Sequence, residues 1–576
     1  MGAFILYHKK TRFLESGVND IYLKKGFVDP LSISIGDYRL RLYKKQLTGI
    51  NNYYKSGSDY IFAVGSLFYK GLSYSESLKN LLSDFLNECI EKQDLYGNYI
   101  LLFYIGNKKE ITFCIDPAYI KNAYFDKVKG IITTDFLCLV EAFPGTYKMN
   151  HLAIAENLTT GHLISPDTYA LGIEKLDRKN IIEIERSFPG ITVKSLKPII
   201  SEIESNREGC IENANELISN YFESSRRLCE EFGAHIGLTG GFDSRLLLMH
   251  ARKKLSRLIT NSFWRPDSKD YINAKLLAEA ADTEFISFEK KQFNKPVTDE
   301  MLNRAFYFFD GQIRSQNNWD EEFNMSEYCN QLASGYLVGF HGSGGEQYRN
   351  ADRQVFRIPI QTYIKHEWMF RQCKDTFIDK NLKNEVYKNI RRKIKRLVDI
   401  QNDYIGLYEL KRIQNEVWNT ANRTTRVNVL NQNQFYFAPF TEYKLSHAAY
   451  KYVPFLGTSF SFEIEMLKKL DTKLASVETN YGFNIVKGIP FRFVLVPLIY
   501  NLIPRRIFYK FYFGIKRSQS NSFNFDEFMK ISNKELSGLT GKIDLKELSR
   551  NKNLGDSLRA YNLLLNNIKF LSDLVS

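Results

Sequence analysis

The stretch AHIGLTGGFDSRLLL, residues 234–248, decides the fold of the central part of this chain. It begins as a short apolar strand, turns through Gly240 and Gly241, and continues as an amphipathic helix. Because glycine has no Cβ, such a turn can reach positive φ and bring its amides close to a ligand. These amides and the helix N-terminus form an electropositive pocket that suits phosphate. The residues expected to contact the ligand are Leu238, Thr239, Gly240, Gly241, Asp243 and Ser244.

Asp243 places a negative charge at a turn that otherwise suits an anion. A divalent cation would resolve this conflict by joining the carboxylate to the phosphates, so we predict that Asp243 is a magnesium ligand. The alternative is an ordinary strand-to-helix turn in which Asp243 caps the helix. The stretch is not a Walker P-loop, because no Gly-Lys-Ser/Thr follows at the required spacing.

The composition is that of an ordinary globular protein. With 576 residues, the chain is long enough for two or three domains. Its hydrophobic content of 44% and charged content of 25% are typical of soluble proteins. The net charge of +14 favours an anionic partner, although the lysines are spread widely. In the densest basic run, residues 388–396, we expect a solvated helix face, and binding of a polyanion is the alternative.

The cysteines and the apolar runs indicate where the protein is located. Seven scattered cysteines without a Cys-x-x-Cys pair argue against a disulfide framework or a zinc site and favour reduced thiols. The apolar run at the N-terminus is too short for a signal peptide, and its charges follow it. The apolar stretch 493–503 is interrupted by Pro497 and Asn501, which predicts a buried or interfacial segment. We therefore expect a cytoplasmic protein without a transmembrane segment.

Residues 1–200 show the alternation of apolar and polar residues that is typical of β-strands. A run with helical periodicity covers residues 75–91. The strand-like segments are residues 3–7, 60–65, 99–104, 111–117 and 130–135. Strands, two helices and short turns predict an α+β domain with stacked sheets.

Two further signals lie between residues 205 and 505. A second strand over 258–263 is followed by a helix over 268–281, and this βαβ arrangement predicts a doubly wound parallel sheet. The sequence LVGFHGSGGEQY, residues 337–348, is again a strand that meets a glycine-rich turn with a carboxylate, Glu346. Ligands of such sheets bind at the carboxyl ends of the strands, so we expect both turns to meet at one pocket.

The two turns resemble motifs of a known family. The first is similar to the Ser-Gly-Gly-x-Asp-Ser loop of the ATP pyrophosphatases, with Thr239 in place of the first serine. The second resembles the Gly-x-Gly-x-Asp-Glu loop of the asparagine synthetase-like enzymes, whose relatives include β-lactam synthetases and lasso peptide cyclases. The Asp-x-x-x-Ala-x-x-x-Ala helix that begins at Asp270, and Gly97 in the first domain, add to the similarity. The resemblance extends to about residue 505.

The resemblance implies three segments. Residues 1–200 would form an α+β sandwich of the N-terminal-nucleophile (Ntn) hydrolase type, similar to a glutaminase domain. Residues 205–505 would form an α/β ATP pyrophosphatase domain similar to the adenine nucleotide alpha hydrolases, and residues 506–576 a helical extension of unknown role. Active glutaminase domains of the family carry a nucleophilic cysteine where this chain has Gly2. We therefore expect the first domain to be inactive and to serve as a support or a docking surface.

The resemblance also implies the cofactors, ATP and Mg²⁺. Asp243 and Glu346 would be the metal ligands and catalytic residues, and His341 and Gly342 would lie beside the nucleotide. Glu346 stands where the family has aspartate, so it keeps an oxygen ligand on a side chain that is longer by one methylene. Magnesium requires near-octahedral oxygen geometry, so the loop must compensate for this length.

Other positions depart from the family pattern or leave a choice open. Gln347 replaces the second acid of the second loop, and Ser343 stands where the family carries a charged or aromatic residue. Lys487 is the candidate for the family lysine that stabilises charge on the α-phosphate, and an ordinary surface lysine is the alternative. The family arginine corresponds to Arg423 or Arg426, and the spacing does not decide between them.

These features lead to one main hypothesis about function. The protein would be a Mg-ATP-dependent, AMP-forming ligase that adenylates a carboxylate and transfers the acyl group to an amine whose source is not glutamine. The amine acceptor would be a small molecule or a peptide, including a precursor peptide that is cyclised. The alternatives are a nucleotide-binding pseudoenzyme that acts as a scaffold in a biosynthetic cluster, and an amidotransferase that uses glutamine or ammonia. No RNA-binding module is recognisable, and we do not expect nucleic acid as a partner.

Overall fold

In the computed structural model, the described residues are 2–27, 30–44, 50–195, 206–263, 266–288, 299–312, 328–329, 331–332, 335–350, 357–365 and 380–495. The predicted extension over residues 506–576 lies outside them. Within the described ranges, the chain forms antiparallel sheets with helices, and then a parallel sheet with interleaved helices.

The N-terminal part is built mainly on two antiparallel sheets. Its strands are β1 (Ala3–His8), β2 (Leu31–Ile35), β3 (Tyr38–Tyr43), β4 (Tyr53–Ser56), β5 (Asp59–Tyr69), β6 (Leu95–Ile105), β7 (Glu110–Ile115), β8 (Tyr124–Asp126), β9 (Ile131–Thr133), β10 (Lys148–Met149), β11 (Ala170–Leu171), β12 (Glu174–Lys175), β13 (Asn180–Ile184) and β14 (Ile191–Ser195). One sheet has the order β12-β8-β9-β1-β3-β2, and the other has the order β4-β5-β6-β7. The pairs β10-β11 and β13-β14 form separate two-stranded sheets.

The two large sheets pack against each other because their strands present apolar residues on both faces. Phe4 and Leu6 of β1 lie in a core that β5 and β6 share. The alternate residues Ile5 and Tyr7 point to the opposite face and pack in a second core. The stacked sheets expected from the sequence are therefore present, and the assignment to the Ntn-hydrolase type remains a prediction.

Helices pack on the outer faces of this sandwich. They are Glu15–Lys24, Tyr74–Leu86, Phe136–Ala142 and His151–Thr160, with a 3₁₀ turn at Lys92–Asp94. The described residues thus contain four helices in this part, whereas the sequence predicts two. The helix Phe136–Ala142 escapes prediction because it is a nearly continuous apolar run, which lacks the periodicity of a helix with one exposed face.

The second part contains a five-stranded parallel sheet. Its strands are β15 (Ala234–Gly237), β16 (Leu258–Ser262), β17 (Glu284–Ser287), β18 (Val338–Phe340) and β21 (Phe435–Phe437), and a separate pair comprises β19 (Ile358–Pro359) and β20 (Tyr404–Ile405). The order in the sheet is β17-β16-β15-β18-β21. The chain therefore proceeds outward from β15 to β17 and then returns to the other side of β15. This places a topological switch point between β15 and β18.

Helices precede, connect and follow the strands of the parallel sheet. These are Arg207–Phe232, Phe242–Ala251, Lys269–Ala280, Asp299–Phe308, Ile360–Tyr363, Lys380–Val398, Leu407–Ile413, the π-helix Gln414–Arg423, Thr424–Leu430, Tyr443–Lys451, Ser461–Leu470 and Thr472–Ala475, with 3₁₀ turns at Gly345–Tyr348, Pro439–Thr441 and Val453–Phe455. The predicted α/β domain with a parallel sheet is confirmed. Among the described residues, no helix has both the length and the apolar character needed to cross a membrane.

The four-stranded antiparallel sheet contacts the α/β domain through polar bonds as well as apolar packing. The side chain of Asn98 donates to the carbonyl of Tyr436 at 3.0 Å. The carboxylate of Glu442 accepts a hydrogen bond from the amide of Gly97 at 3.2 Å. Gly97 has a φ of +125°, and a Cβ there would overlap the carbonyl of Ser66, so this position requires glycine. The two parts therefore share a buried junction.

The basic run over 388–396 lies on the helix Lys380–Val398, and part of it is buried. The ammonium of Lys393, which has no exposed surface, lies 2.8 Å from Glu156 and 2.6 Å from Asp167. Other basic residues of the run pair with acids, namely Arg391 and Lys395 with Asp403 and Arg396 with Asp177. The expected solvated face is therefore wrong for Lys393, because carboxylates from the N-terminal domain neutralise its charge.

The packing inside the parallel sheet predicts the effect of Gly339→Ala in β18. A Cβ at this position would lie 2.6 Å from the ring of Tyr436 and 2.7 Å from the imidazole of His235. We expect this overpacking to lower the free energy of unfolding by about 1–3 kcal/mol. Gly237→Ala is the matched control, because its nearest neighbour would be 3.8 Å away. Equal losses of thermal stability in the two variants would contradict this account.

Candidate functional site

The two glycine-rich turns meet at one edge of the parallel sheet. The first follows β15 and the second follows β18, and these strands are neighbours at the switch point. A Cβ on Gly342 would lie 3.1 Å from the Cβ of Asp243 and 3.0 Å from the amide of Ser244. A Cβ on Gly345 would overlap a carboxylate oxygen of Asp243. Glycines in the second turn therefore allow it to approach Asp243 closely, and the crevice between the turns is the candidate site.

The amides of the first turn are bonded to side chains of the turn and of the next helix. Ser244 Oγ accepts from the amide of Thr239 at 3.2 Å, and Thr239 Oγ1 accepts from the amide of Gly241 at 3.1 Å. Asp270 Oδ1 accepts from the amide of Gly240 at 3.1 Å. An anion can reach the first two amides only if the two hydroxyl groups rotate away.

The role predicted for the glycines of the first turn needs correction. Neither Gly240 nor Gly241 has a positive φ, and Gly241 has an extended backbone with a φ of −78°. Space is the constraint at Gly240, because a Cβ there would lie 3.0 Å from Asn273 and from the backbone nitrogen of Asn480. The glycine therefore permits close packing and does not provide a left-handed turn.

Residues far along the chain close the first turn. Asp270 lies in the first turn of the helix Lys269–Ala280, and its carboxylate also accepts from Asn480 Nδ2 at 3.3 Å. The amide of Asn480 donates to the carbonyl of Gly240 at 3.0 Å. The next residue, Tyr481, stacks on Phe242 with ring centroids 5.1 Å apart. Asp270 belongs to a motif that is visible in the sequence, whereas no sequence signal indicates Asn480.

A buried cluster of charges connects the first turn to the second. Arg349 donates to both carboxylate oxygens of Asp243, at 2.8 and 3.2 Å. The same guanidinium donates to Glu463 at 2.9 Å, and Glu463 is fully buried on the helix Ser461–Leu470. Neither Arg349 nor Glu463 belongs to a motif predicted from the sequence. Arg349 follows Glu346 by three residues, and this Glu-x-x-Arg spacing was the available signal.

Burial and mutual contact shift the pKa values of the ionisable groups in this cluster. Burial raises the pKa of Asp243, nearby Glu346 raises it further, and Arg349 opposes both effects. Burial raises the pKa of Glu463 well above its usual range, and Arg349 opposes this effect. Burial alone would lower the pKa of Arg349, but the carboxylates around it raise that pKa well above the ordinary value. Three carboxyl groups thus surround one permanent cation.

The predicted metal ligands, Asp243 and Glu346, interact electrostatically at the same crevice. Among the described residues, no group of three His, Cys, Asp or Glu side chains is arranged to hold a metal ion. Magnesium commonly takes only one or two protein carboxylates and completes its shell with phosphate oxygens and water. The donors therefore fit an ion that arrives with a nucleotide, provided that it shares Asp243 with Arg349 or displaces the guanidinium.

The other predicted site residues have different environments. Nδ1 of His341 lies 2.6 Å from the hydroxyl of Ser343. Gln347 is buried and accepts a hydrogen bond from Asn415 at 3.2 Å. The side chain of Lys487 is exposed and has no hydrogen bond or ion pair with the described residues. The structure thus brings His341 to the second turn, directs the side chain of Gln347 to Asn415, and does not join Lys487 to either turn.

Two basic residues from the helical region contact the second turn or its neighbours. Lys411 is buried and donates to the carbonyl of Glu346 at 2.9 Å. Arg426 acts electrostatically on Tyr436, whose ring lies 6.1 Å from that of His341. Lys411 is therefore a lysine at the site that no sequence motif indicates. Of the two candidate arginines, Arg426 lies near the site, and the side chain of Arg423 is outside the described part of the chain.

Position 2 has no room for a side chain in its present conformation. Gly2 has a φ of +91°, and a Cβ would lie 2.6 Å from the side-chain nitrogen Nδ2 of Asn52 and 2.7 Å from the carbonyl of Tyr43. A thiol at this position would require these neighbours to move. The expected loss of glutaminase chemistry remains a prediction.

Comparison with known proteins adds no family assignment, because no family model matches the chain and a search of curated proteins finds no match. The resemblance to asparagine synthetase-like enzymes therefore depends on the two turns and the strands that they follow.

The charge cluster predicts a stability change for Arg349→Met. Removing one partner from a buried ion pair costs about 3–5 kcal/mol, because it leaves a buried charge without compensation. We expect Arg226→Met, which removes an arginine whose side chain is half exposed, to cost at most about 1 kcal/mol.

A double-mutant cycle with Glu463→Gln tests the same contact. The loss in the double variant should be smaller than the sum of the two single losses, with a coupling of about 0.5–3 kcal/mol in chemical denaturation. Additive losses would show that Arg349 and Glu463 do not stabilise each other.

Proposed function

We propose that this protein binds Mg-ATP in the crevice between the two turns and uses it to activate a carboxylate for amide-bond formation. One observation carries the proposal. Two glycine-rich turns follow neighbouring strands at the switch point of a parallel sheet, and Asp243 lies at their contact. Folds of this type bind nucleotides in the crevice at that point.

The residues of the first turn would bind the phosphates. The helix Phe242–Ala251 begins at this turn, so its N-terminal dipole and the turn amides favour negative charge. Rotation of the Thr239 and Ser244 hydroxyls would expose two amides and also provide two hydroxyl donors. Asp270 would keep the amide of Gly240 in place while these groups move.

The carboxylates would hold the metal ion that accompanies the nucleotide. Asp243 and Glu346 are the proposed ligands, and Arg349 orients the Asp243 carboxylate before binding. Mg-ATP, when bound, supplies an α-phosphate for carboxylate activation and pyrophosphate as the leaving group. In the overall reaction, an acid, an amine and ATP give an amide, AMP and pyrophosphate. The acid loses one oxygen to AMP, and the amine loses a proton.

The amine would come from a source other than glutamine, because Gly2 provides no nucleophile for glutamine hydrolysis. A small molecule, a peptide or an amine within the acid substrate itself would satisfy this requirement. A reaction within one molecule would make the protein a cyclase. The reduced thiols expected from the cysteine pattern are consistent with a cytoplasmic enzyme.

A second candidate is a nucleotide-binding protein without ligase activity, which would serve as a scaffold in a biosynthetic cluster. The bidentate contact of Arg349 with Asp243 favours it, because a guanidinium already compensates the proposed metal ligand. The exposed side chain of Lys487 favours it as well, since no lysine from that segment contacts the two turns.

The ligase proposal is tested by the products formed from ATP. With Mg-ATP and a panel of the standard amino acids and short peptides, we expect acid-dependent exchange of pyrophosphate into ATP, with AMP and no ADP as the product. Asp243→Asn should reduce the rate about 10²–10³-fold, because it removes preorganised charge at the phosphates. Glu279→Gln changes an exposed carboxylate of the same domain and should leave the rate unchanged. EDTA should abolish the exchange.

The two candidates give different results in this assay. Acid-dependent formation of ADP would contradict the ligase proposal. Magnesium-dependent binding of ATP without exchange, in a protein whose melting temperature is normal, would favour the scaffold.

A further inference from the structure

A second cavity lies between the N-terminal domain and the helical segment that follows residue 413. Its volume is about 200 Å³, room for several water molecules, each of which occupies about 30 Å³ in the liquid. One wall is a single face of this segment, formed by Trp418, Ala421 and Thr425. Strand β12 provides Lys175, which also lines the cavity. The cavity shares no lining residue with the two glycine-rich turns, so it is a separate site.

Lys175 is the unusual group in this cavity. Its ammonium donates to the carbonyl of Thr420 at 3.2 Å and makes no ion pair with any carboxylate in the described part of the chain. An ammonium group has three N–H donors, so two of them have no acceptor among these residues. Burial lowers the pKa of Lys175 to about 8, although nearby Asp177 and Asp310 act in the opposite direction.

The acids that line the cavity are already engaged by other groups. Asp310 accepts from the ammonium of Lys25 at 3.2 Å and from the amide of Phe136 at 2.7 Å. Asp167 pairs with the buried ammonium of Lys393 at 2.6 Å. Both ammonium groups are shared, because Lys25 also pairs with Asp135 and Lys393 also pairs with Glu156. None of these ion pairs involves Lys175, so its ammonium remains available to an anion.

The remaining wall is mostly polar, and it also contains four aromatic rings. They belong to Tyr124, Phe136, Tyr169 and Trp418, and the rings of Phe136 and Tyr169 meet edge to face at 6.1 Å. Rings of this kind bury flat or apolar groups well and orient them by edge-to-face contact. A ligand with one anionic end and a small aromatic or aliphatic body would fit this cavity. Its anionic end would pair with Lys175, and its body would pack against the rings.

We propose that this cavity binds a small organic carboxylate, which accepts hydrogen bonds from Lys175 and places its body against the aromatic rings. The site is independent of the nucleotide crevice, so the proposal does not depend on ligase activity. It gives the N-terminal domain a role as one wall of a ligand site.

Titration calorimetry with two isosteric probes tests the proposal. Benzoate and benzamide have the same ring, but only benzoate carries a negative charge. We expect saturable binding of benzoate to the full chain, at least tenfold tighter than that of benzamide. Lys175→Met should weaken benzoate binding at least tenfold, and Lys175→Arg should restore part of it.

The control variant is Lys127→Met, which removes an exposed lysine of the same domain and should bind benzoate like the unchanged protein. Equal melting temperatures of the two methionine variants would show that Lys175→Met is folded. Three results would overturn the proposal: no binding of benzoate, equal binding of benzamide, or unchanged binding in Lys175→Met. If Lys175→Met does not fold, the comparison of benzoate with benzamide on the unchanged protein tests the proposal by itself.

Discussion

The contact of Arg349 with Asp243 and Glu463 is the interaction on which the candidate site depends. One guanidinium joins the first turn, the second turn and the helix Ser461–Leu470. Burial and nearby Glu346 both disfavour a charged Asp243 at the second turn, and this cation opposes both effects. The position and orientation of the proposed metal ligand are therefore set by a residue outside both predicted motifs. The arginine also defines the main obstacle to metal binding, since it occupies the carboxylate that the metal would use.

The sequence is sufficient to predict those structural elements that depend on local periodicity. The strand, turn and helix around residues 234–248 follow from short-range pattern and glycine placement, and so does the strand before the second turn. The two turns also meet at one edge of the sheet, as expected, because parallel strands end at a common edge. Lys487, by contrast, was assigned through family spacing alone, and its side chain makes no contact with the turns.

Features that depend on distant residues could not be predicted. Arg349 lies 114 residues from Glu463 in sequence, and neither position stands out in composition or periodicity. Lys393 looked like part of a solvated basic face, because its partner Glu156 is 237 residues away. Gly240 was correctly identified as a necessary glycine, but for the wrong reason. The sequence shows that a small residue is present, whereas the close approach of Asn480 is visible only in three dimensions.

The central claim is that the two turns together form one nucleotide site. The most direct test is hydrogen–deuterium exchange of the full chain with Mg²⁺ and the non-hydrolysable analogue α,β-methylene-ATP. The account predicts slower exchange of amides in residues 238–245 and 341–348 together, with little change around Lys175. Protection of only one turn, or of neither, would contradict the claim that they form a single site.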